Sequence, residues 1–134
     1  MDNVTLSRMT PNQRASAFMH DRCRIPEEII YEARGLPDVE MLKSLIYPIT
    51  TTVLENVRIV LATIKAGDKV VDLYRNEGNG DVMLLATALT EMAVSEGQLI
   101  GDRWIIATAD KGLTTKAVEL GVLTCTSDQF IALV

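Results

Sequence analysis

The chain has 134 residues, 48% of them hydrophobic and 23% charged, with eight Gly and four Pro; this suffices for one core without disulfides or structural metal and excludes a disordered or collagen-like polymer. Thirteen Lys and Arg against eighteen Asp and Glu leave a net charge of −5, the wrong sign for a protein that coats nucleic acid by bulk electrostatics. Two cysteines, Cys23 and Cys125, and one histidine, His20, supply neither a disulfide framework nor a zinc-ligand spacing. Met1–Thr10 carries no apolar leader and no stretch reaches the roughly 18 apolar residues of a membrane span, so the chain reads as cytoplasmic, with no membrane contact.

Thr10-Pro11 suits an N-cap followed by a first helical residue, so Asn12–Met19 is read as a short helix. Pro26 suits the same position for a helix over Glu27–Arg34, stopped by Gly35, and Pro37 opens another with Val39, Leu42, Leu45 and Ile46 at helical spacing, ending before Pro48. Thr50–Thr52 caps a longer helix whose stripe is Val53, Leu54, Val57, Val60, Leu61 and Ile64. A short helix over Asp68–Tyr74 precedes the turn Asn76–Gly80. Asp81–Ser95, rich in Ala, Leu and Met, is the clearest helix of the chain, and its methionines read as core. Trp104–Thr108 has the continuous apolar pattern of a strand buried on both faces. Lys111–Leu120 follows as helix, Val122–Cys125 as a second buried strand and Ser127–Phe130 as a last helical turn. That alternation argues for a single α/β domain with a parallel sheet and no internal linker.

Ligand sites of open α/β sheets lie beyond the carboxyl ends of the strands. Asp110 falls there, although it also suits an N-cap for the helix that starts at Lys111. Asp81 opens the longest helix, where the dipole alone favours an acid. Glu32 sits at the unfavourable end of its helix, four residues after Glu28, and a charge kept against both terms calls for a partner, Arg24, Arg34 or a metal. Asp2 has almost nothing before it and taken alone reads as a frayed terminus.

The order of these acids carries further meaning. Asp2-Asn3-Val4 beside a first strand, Ile25–Glu32 on an early helix, Gly80-Asp81-Val82-Met83-Leu84-Leu85-Ala86-Thr87-Ala88 on a later helix and Thr108-Ala109-Asp110-Lys111 after a strand resemble the PIN-domain family along essentially the whole chain. The resemblance implies a three-layer fold, a central parallel sheet flanked by helices, spanning residues 1–134 with the first strand cut short. It also implies a metal-dependent endoribonuclease like the VapC-like toxins of type II toxin–antitoxin modules, with Asp2, Glu32, Asp81 and Asp110 as catalytic and metal-binding acids for Mg²⁺ or Mn²⁺, and Thr108 as a supporting hydroxyl that contacts the substrate region. RNA is the implied substrate, an antitoxin the implied partner and a homodimer the implied assembly. The chemistry is consistent with this: clustered carboxylates repel unless a hard cation neutralises them, and hard cations take oxygen ligands.

The chain departs from that pattern in having only Met1 ahead of Asp2, Asn3-Val4 where a hydroxyl and Asn are usual, and a long interval from Asp81 to Asp110 with Asp102 in its turn. Bases are scattered, at Arg8, Arg14, Arg22, Arg24, Arg75, Arg103, Lys111 and Lys116; most read as surface solvation, and Arg103 and Lys111, flanking the strand before Asp110, are the candidate phosphate contacts. His20 reads as a surface residue and forms no nucleophile dyad. The alternative is a degenerate PIN-like domain that has lost catalysis and acts as a protein- or RNA-interaction module. A phosphotransfer reading, suggested by Asp2-Asn3-Val4-Thr5, lacks the second Asp that the haloacid-dehalogenase motif needs at position 4. The apolar helices over Val39–Ile64 offer a dimer seam or an antitoxin groove, or plain core.

Overall fold

Side-chain caps decide where helices begin in the computed structural model, which describes residues 1–65, 79–98 and 101–134. Asp2 accepts from the Thr5 amide and opens α1 (Asn3–Arg8). Thr10 and Gln13 form a capping box ahead of α2 (Pro11–Arg14), and Ser16 caps α3 (Ala17–Arg22) through the Met19 amide. The single helix expected over Asn12–Met19 is therefore two, because the Ser16 hydroxyl offers the backbone a fresh start. The first strand, read as cut short at Asp2, is not among the described strands, and α1 follows at once: with Asp2 as cap, the β-branched Val4 and Thr5 enter the helix despite their preference for strands.

A two-residue strand, β1 (Ile25–Pro26), leads into α4 (Glu27–Glu32). After α5 (Val39–Leu42) and a 3₁₀ turn at Lys43–Leu45 comes β2 (Ile46–Tyr47), which pairs parallel with β1, Ile25 opposite Ile46. Thr50 caps α6 (Thr51–Thr63), and α7 runs over Asn79–Glu96. The helix read over Asp68–Tyr74 lies outside the described residues; of the turn read over Asn76–Gly80, Asn79 and Gly80 already belong to α7. The last third is as expected: β3 (Ile105–Ala107), α8 (Lys111–Glu119), β4 (Leu123–Cys125) and α9 (Ser127–Ile131), with β3 parallel to β4 and Ile106 opposite Thr124.

The described strands thus form two separate parallel pairs, β1 with β2 and β3 with β4, and not one central sheet. Nor are β3 and β4 the strands buried on both faces that the apolar runs suggest: Ile105 is 52% exposed while Ile106 and Ala107 are buried, and in β4 Leu123 is 48% exposed with Thr124 and Cys125 only partly covered. What joins the two pairs is α7, which packs along α6 and across both β1 and β3. Its nearly all-round apolar composition suits a helix enclosed on several sides. Leu85 from α7 meets Leu6, Met19, Ile25, Ile29, Leu42, Ile106 and Leu113 in one core, and Met83 is likewise buried.

Two bases read as surface residues are buried. Arg14 forms a fork with Asp38, Nε to Oδ2 and Nη2 to Oδ1 both at 2.7 Å, and its Nη1 donates to the Leu6 carbonyl at 3.0 Å and to the Met9 carbonyl. Lys116 donates from Nζ to the Thr63 carbonyl at 3.1 Å and to Glu119 at 2.7 Å, which ties α8 to the end of α6. In both, the aliphatic stem fills core while the head finds oxygen partners. Cys23 and Cys125 are free thiols, and among the described residues no helix is long and apolar enough to cross a membrane.

Candidate active site

Asp2 is fixed by its backbone and by both carboxylate oxygens. Its amide donates to the Ala107 carbonyl at 3.1 Å, which sets the residue against the end of β3. Oδ1 accepts from the Thr5 amide at 2.7 Å; Oδ2 accepts from the Thr108 hydroxyl and from the Ala109 amide at 3.3 Å. Far from fraying, Asp2 is 5% exposed. Thr108 in turn accepts from the Asp110 amide at 2.9 Å, and Asp110 Oδ1 caps α8 by accepting from Leu113 at 2.7 Å. A single polar turn beyond β3 therefore holds two of the predicted acids. Asp2 Oδ1 and Asp110 Oδ1 each accept once and keep a further lone-pair site, whereas Asp2 Oδ2 already accepts twice.

Glu32 and Asp81 come from the other side. Glu32 ends α4 and accepts a hydrogen bond from the Gly80 amide at the start of α7. The approach is close: a Cβ on Gly80 would collide with Ile29 Cδ1 and come within 2.9 Å of Glu32 Oε1, so this position in α7 has no room for a side chain. Burial outweighs that hydrogen bond, and with the charges of Asp2 and Glu28 it raises the Glu32 pKa above its ordinary value. Asp81 is more strongly affected. Burial first, then the charges of Asp110, Asp2 and Glu32, push it from 3.8 up to about 7. All four acids thus act on one another through Asp81, although they come from the amino terminus, α4, α7 and the loop after β3.

Among the described residues no group of three or more His, Cys, Asp or Glu side chains is already arranged to hold a metal ion. The donor set is nonetheless all carboxylate oxygen, the preference of Mg²⁺ and Mn²⁺. One turn before Glu32, Glu28 Oε2 is buried without a hydrogen-bond partner, an acceptor for which an ion or water is the ordinary explanation. The sequence flagged Glu28 only as a like-charge neighbour; nothing in its spacing marked the orphaned oxygen.

The proposed substrate contacts separate. Thr108 is buried and engaged with Asp2, and Lys111 is exposed beside Asp110 at the start of α8. Arg103 precedes β3, at the opposite end of the strand from Asp110, where it lines a cavity with Asp102 and Trp104. Removing the hydroxyl tests the polar turn: Thr108→Val is expected to cost about 1–3 kcal/mol by stripping a donor from a buried carboxylate, measured by urea unfolding at pH 7.

Comparison of the chain with protein-family models, with curated proteins and with solved structures finds no match.

Proposed function

We propose that this protein is a metal-dependent endoribonuclease of PIN-like architecture. The convergence of Asp2, Glu32, Asp81 and Asp110 on one shared electrostatic field carries the reading. Asp81 and Glu32, ionised where burial and neighbouring carboxylates oppose it, cost stability in a metal-free protein, and a site that lowers its own stability is one that a ligand completes. Bound Mg²⁺ or Mn²⁺ supplies Lewis acidity and charge neutralisation for the addition of water across a phosphodiester P–O bond.

The chain's own residues do the rest. Thr5, Thr108 and Ala109 hold Asp2 in one orientation, the α8 cap holds Asp110, and the Gly80 amide holds Glu32, so little reorganisation is needed when a cation enters. With its pKa raised to about 7, Asp81 holds a proton in the metal-free protein below that pH, and would have to release it to solvent to serve as a ligand. Lys111, exposed beside Asp110, supplies a positive charge within reach of a phosphate. Given the net charge of −5, RNA is held by such local contacts and not by the protein's overall field.

Leu54 and Leu61, seven residues apart on one face of α6, are each about half accessible; a homodimer or an antitoxin helix would cover this apolar strip. Light scattering is expected to give the mass of a dimer. The activity test is cleavage of a mixed-sequence RNA by purified protein: cutting with Mg²⁺ or Mn²⁺, abolished by EDTA and reduced at least 10²-fold in Asp110→Asn, a loss on the scale of removing one electrostatic catalytic group. Persistent cleavage by Asp110→Asn in EDTA would refute it. A second reading, an interaction module without catalysis, draws on the hydrogen bonds that already engage Asp2 and Asp110 structurally; RNA binding without cleavage in either metal would favour it.

A further inference from the structure

The four acids do not reach solvent equally. Asp2 is buried and Asp81 half-buried, whereas Glu32 at the end of α4 and Asp110 ahead of α8 are open to it. A chain brought to the cluster therefore passes over the side chains that flank these two. Lys111, exposed beside Asp110, is one of them; Tyr31 and Arg34, both exposed, flank Glu32.

Tyr31 is 67% exposed, although its helix neighbours Ile29 and Ile30 are buried. Its ring is nevertheless held in one pose. The Arg34 guanidinium lies over one face, its carbon 4.4 Å from the ring centroid, and Nη1 donates to the Tyr31 carbonyl at 3.0 Å. The arginine that the sequence offered as a partner for Glu32 is thus engaged by the neighbouring ring. With one face under the cation, the exposure of Tyr31 falls on its other face and edge. Consecutive Cα atoms are about 3.8 Å apart, and consecutive helical side chains diverge by about 100°, so the ring stands to one side of the Glu32 carboxylate, where a nucleotide adjoining the one at the acids would lie.

We propose, on the nuclease reading of the acids, that Tyr31 and Arg34 form a substrate-positioning platform: an unpaired nucleobase beside the scissile phosphate stacks on the open face of the Tyr31 ring, and the Arg34 guanidinium neutralises a flanking phosphate. A ring already fixed by Arg34 loses little rotamer freedom when a base stacks on it. Among the described residues only one of the five guanidinium N–H donors is engaged, which leaves the others for phosphate oxygens. A cation is needed on this approach, because α4 alone carries Glu27, Glu28 and Glu32 in a chain of net charge −5. Stacking accepts any base, since each presents a π face.

The test measures fluorescence anisotropy of a short mixed-sequence RNA and of an abasic ribose-phosphate strand of equal length, in Mg²⁺, with an Asp110→Asn parent that leaves the RNA uncut. Tyr31→Ala is expected to weaken RNA binding about tenfold and to leave the abasic strand unchanged, while Tyr31→Phe binds both as the parent does. Arg34→Gln is expected to weaken both strands and to flatten the salt dependence. Tyr31→Ala that binds both strands like the parent, or loses both equally, would overturn the platform, as would no binding of either strand by the parent. RNA cleavage by the wild-type chain reads the nuclease proposal separately: a base-selective loss in Tyr31→Ala without any wild-type cleavage would support the platform and overturn the nuclease.

Discussion

Asp81→Asn is expected to make the metal-free protein more stable at pH 8, by about 2–4 kcal/mol, while removing its response to Mn²⁺. Burial and the charges of Asp110, Asp2 and Glu32 push the Asp81 pKa from 3.8 up to about 7. Below about pH 4 the group is protonated in folded and unfolded chains alike. Between pH 4 and 7 the folded chain keeps a proton that the unfolded chain has lost, so stability falls as pH rises through that window, and above pH 7 the loss is complete. Glu32, raised for the same first reason, adds to the same slope. Asn keeps the shape and carries no charge, so the slope of the variant flattens. Urea unfolding from pH 5 to 8 measures both; superimposable profiles for the two proteins would show that Asp81 is not held in a repulsive cluster. Mn²⁺ at pH 8 is expected to restore the wild-type stability and leave the variant unchanged.

The second large effect lies outside the site and yet bears on it. Arg14→Leu is expected to cost about 3–5 kcal/mol, because it leaves a mostly buried Asp38 carboxylate without its fork and two carbonyls at the end of α1 without their donor. Arg14→Lys rescues little, since one ammonium cannot serve a bidentate carboxylate and two carbonyls together. Arg14→Leu combined with Asp38→Leu is expected to recover much of the loss, as buried ion pairs often exchange for apolar pairs at little cost. The Arg14 hydrogen bond holds the Asp38 carboxyl below its ordinary pKa, so the stability due to this pair is present above pH 4 and fades as pH falls below it, the reverse of Asp81. Because α1 begins at Asp2, loosening its far end also loosens the acid; a variant that loses stability while keeping full Mn²⁺ affinity would show the two ends to be independent.

Legibility in the sequence tracked the length of the signal. α6 and α7 span several turns of apolar periodicity, and the β3–α8–β4 unit is punctuated by Asp110 and by Gly121, which adopts φ +72°, so local pattern and tertiary packing agree. β1 and β2 are two residues each, too short for any period, and Pro26 reads equally well as a helix start. α1 is hard to read from the sequence because Asp2, with a single residue ahead of it, does not look like a cap. Arg14 and Lys116 read as surface bases because their partners, Asp38 and the Thr63 carbonyl, are 24 and 53 positions away. The four acids were legible only through their order along a resemblance. Asp81 looks like an ordinary helix-opening acid until its three neighbours arrive from distant elements.

The most direct test of the account is a calorimetric Mn²⁺ titration of the purified protein beside Asp81→Asn at pH 8, which requires no knowledge of the RNA. Saturable binding is expected that the substitution weakens tenfold or more, about 1.4 kcal/mol, and that weakens in the wild type as pH is lowered from 8 to 6 and Asp81 takes up its proton. Equal affinities in the two proteins, or no binding in either, would contradict it.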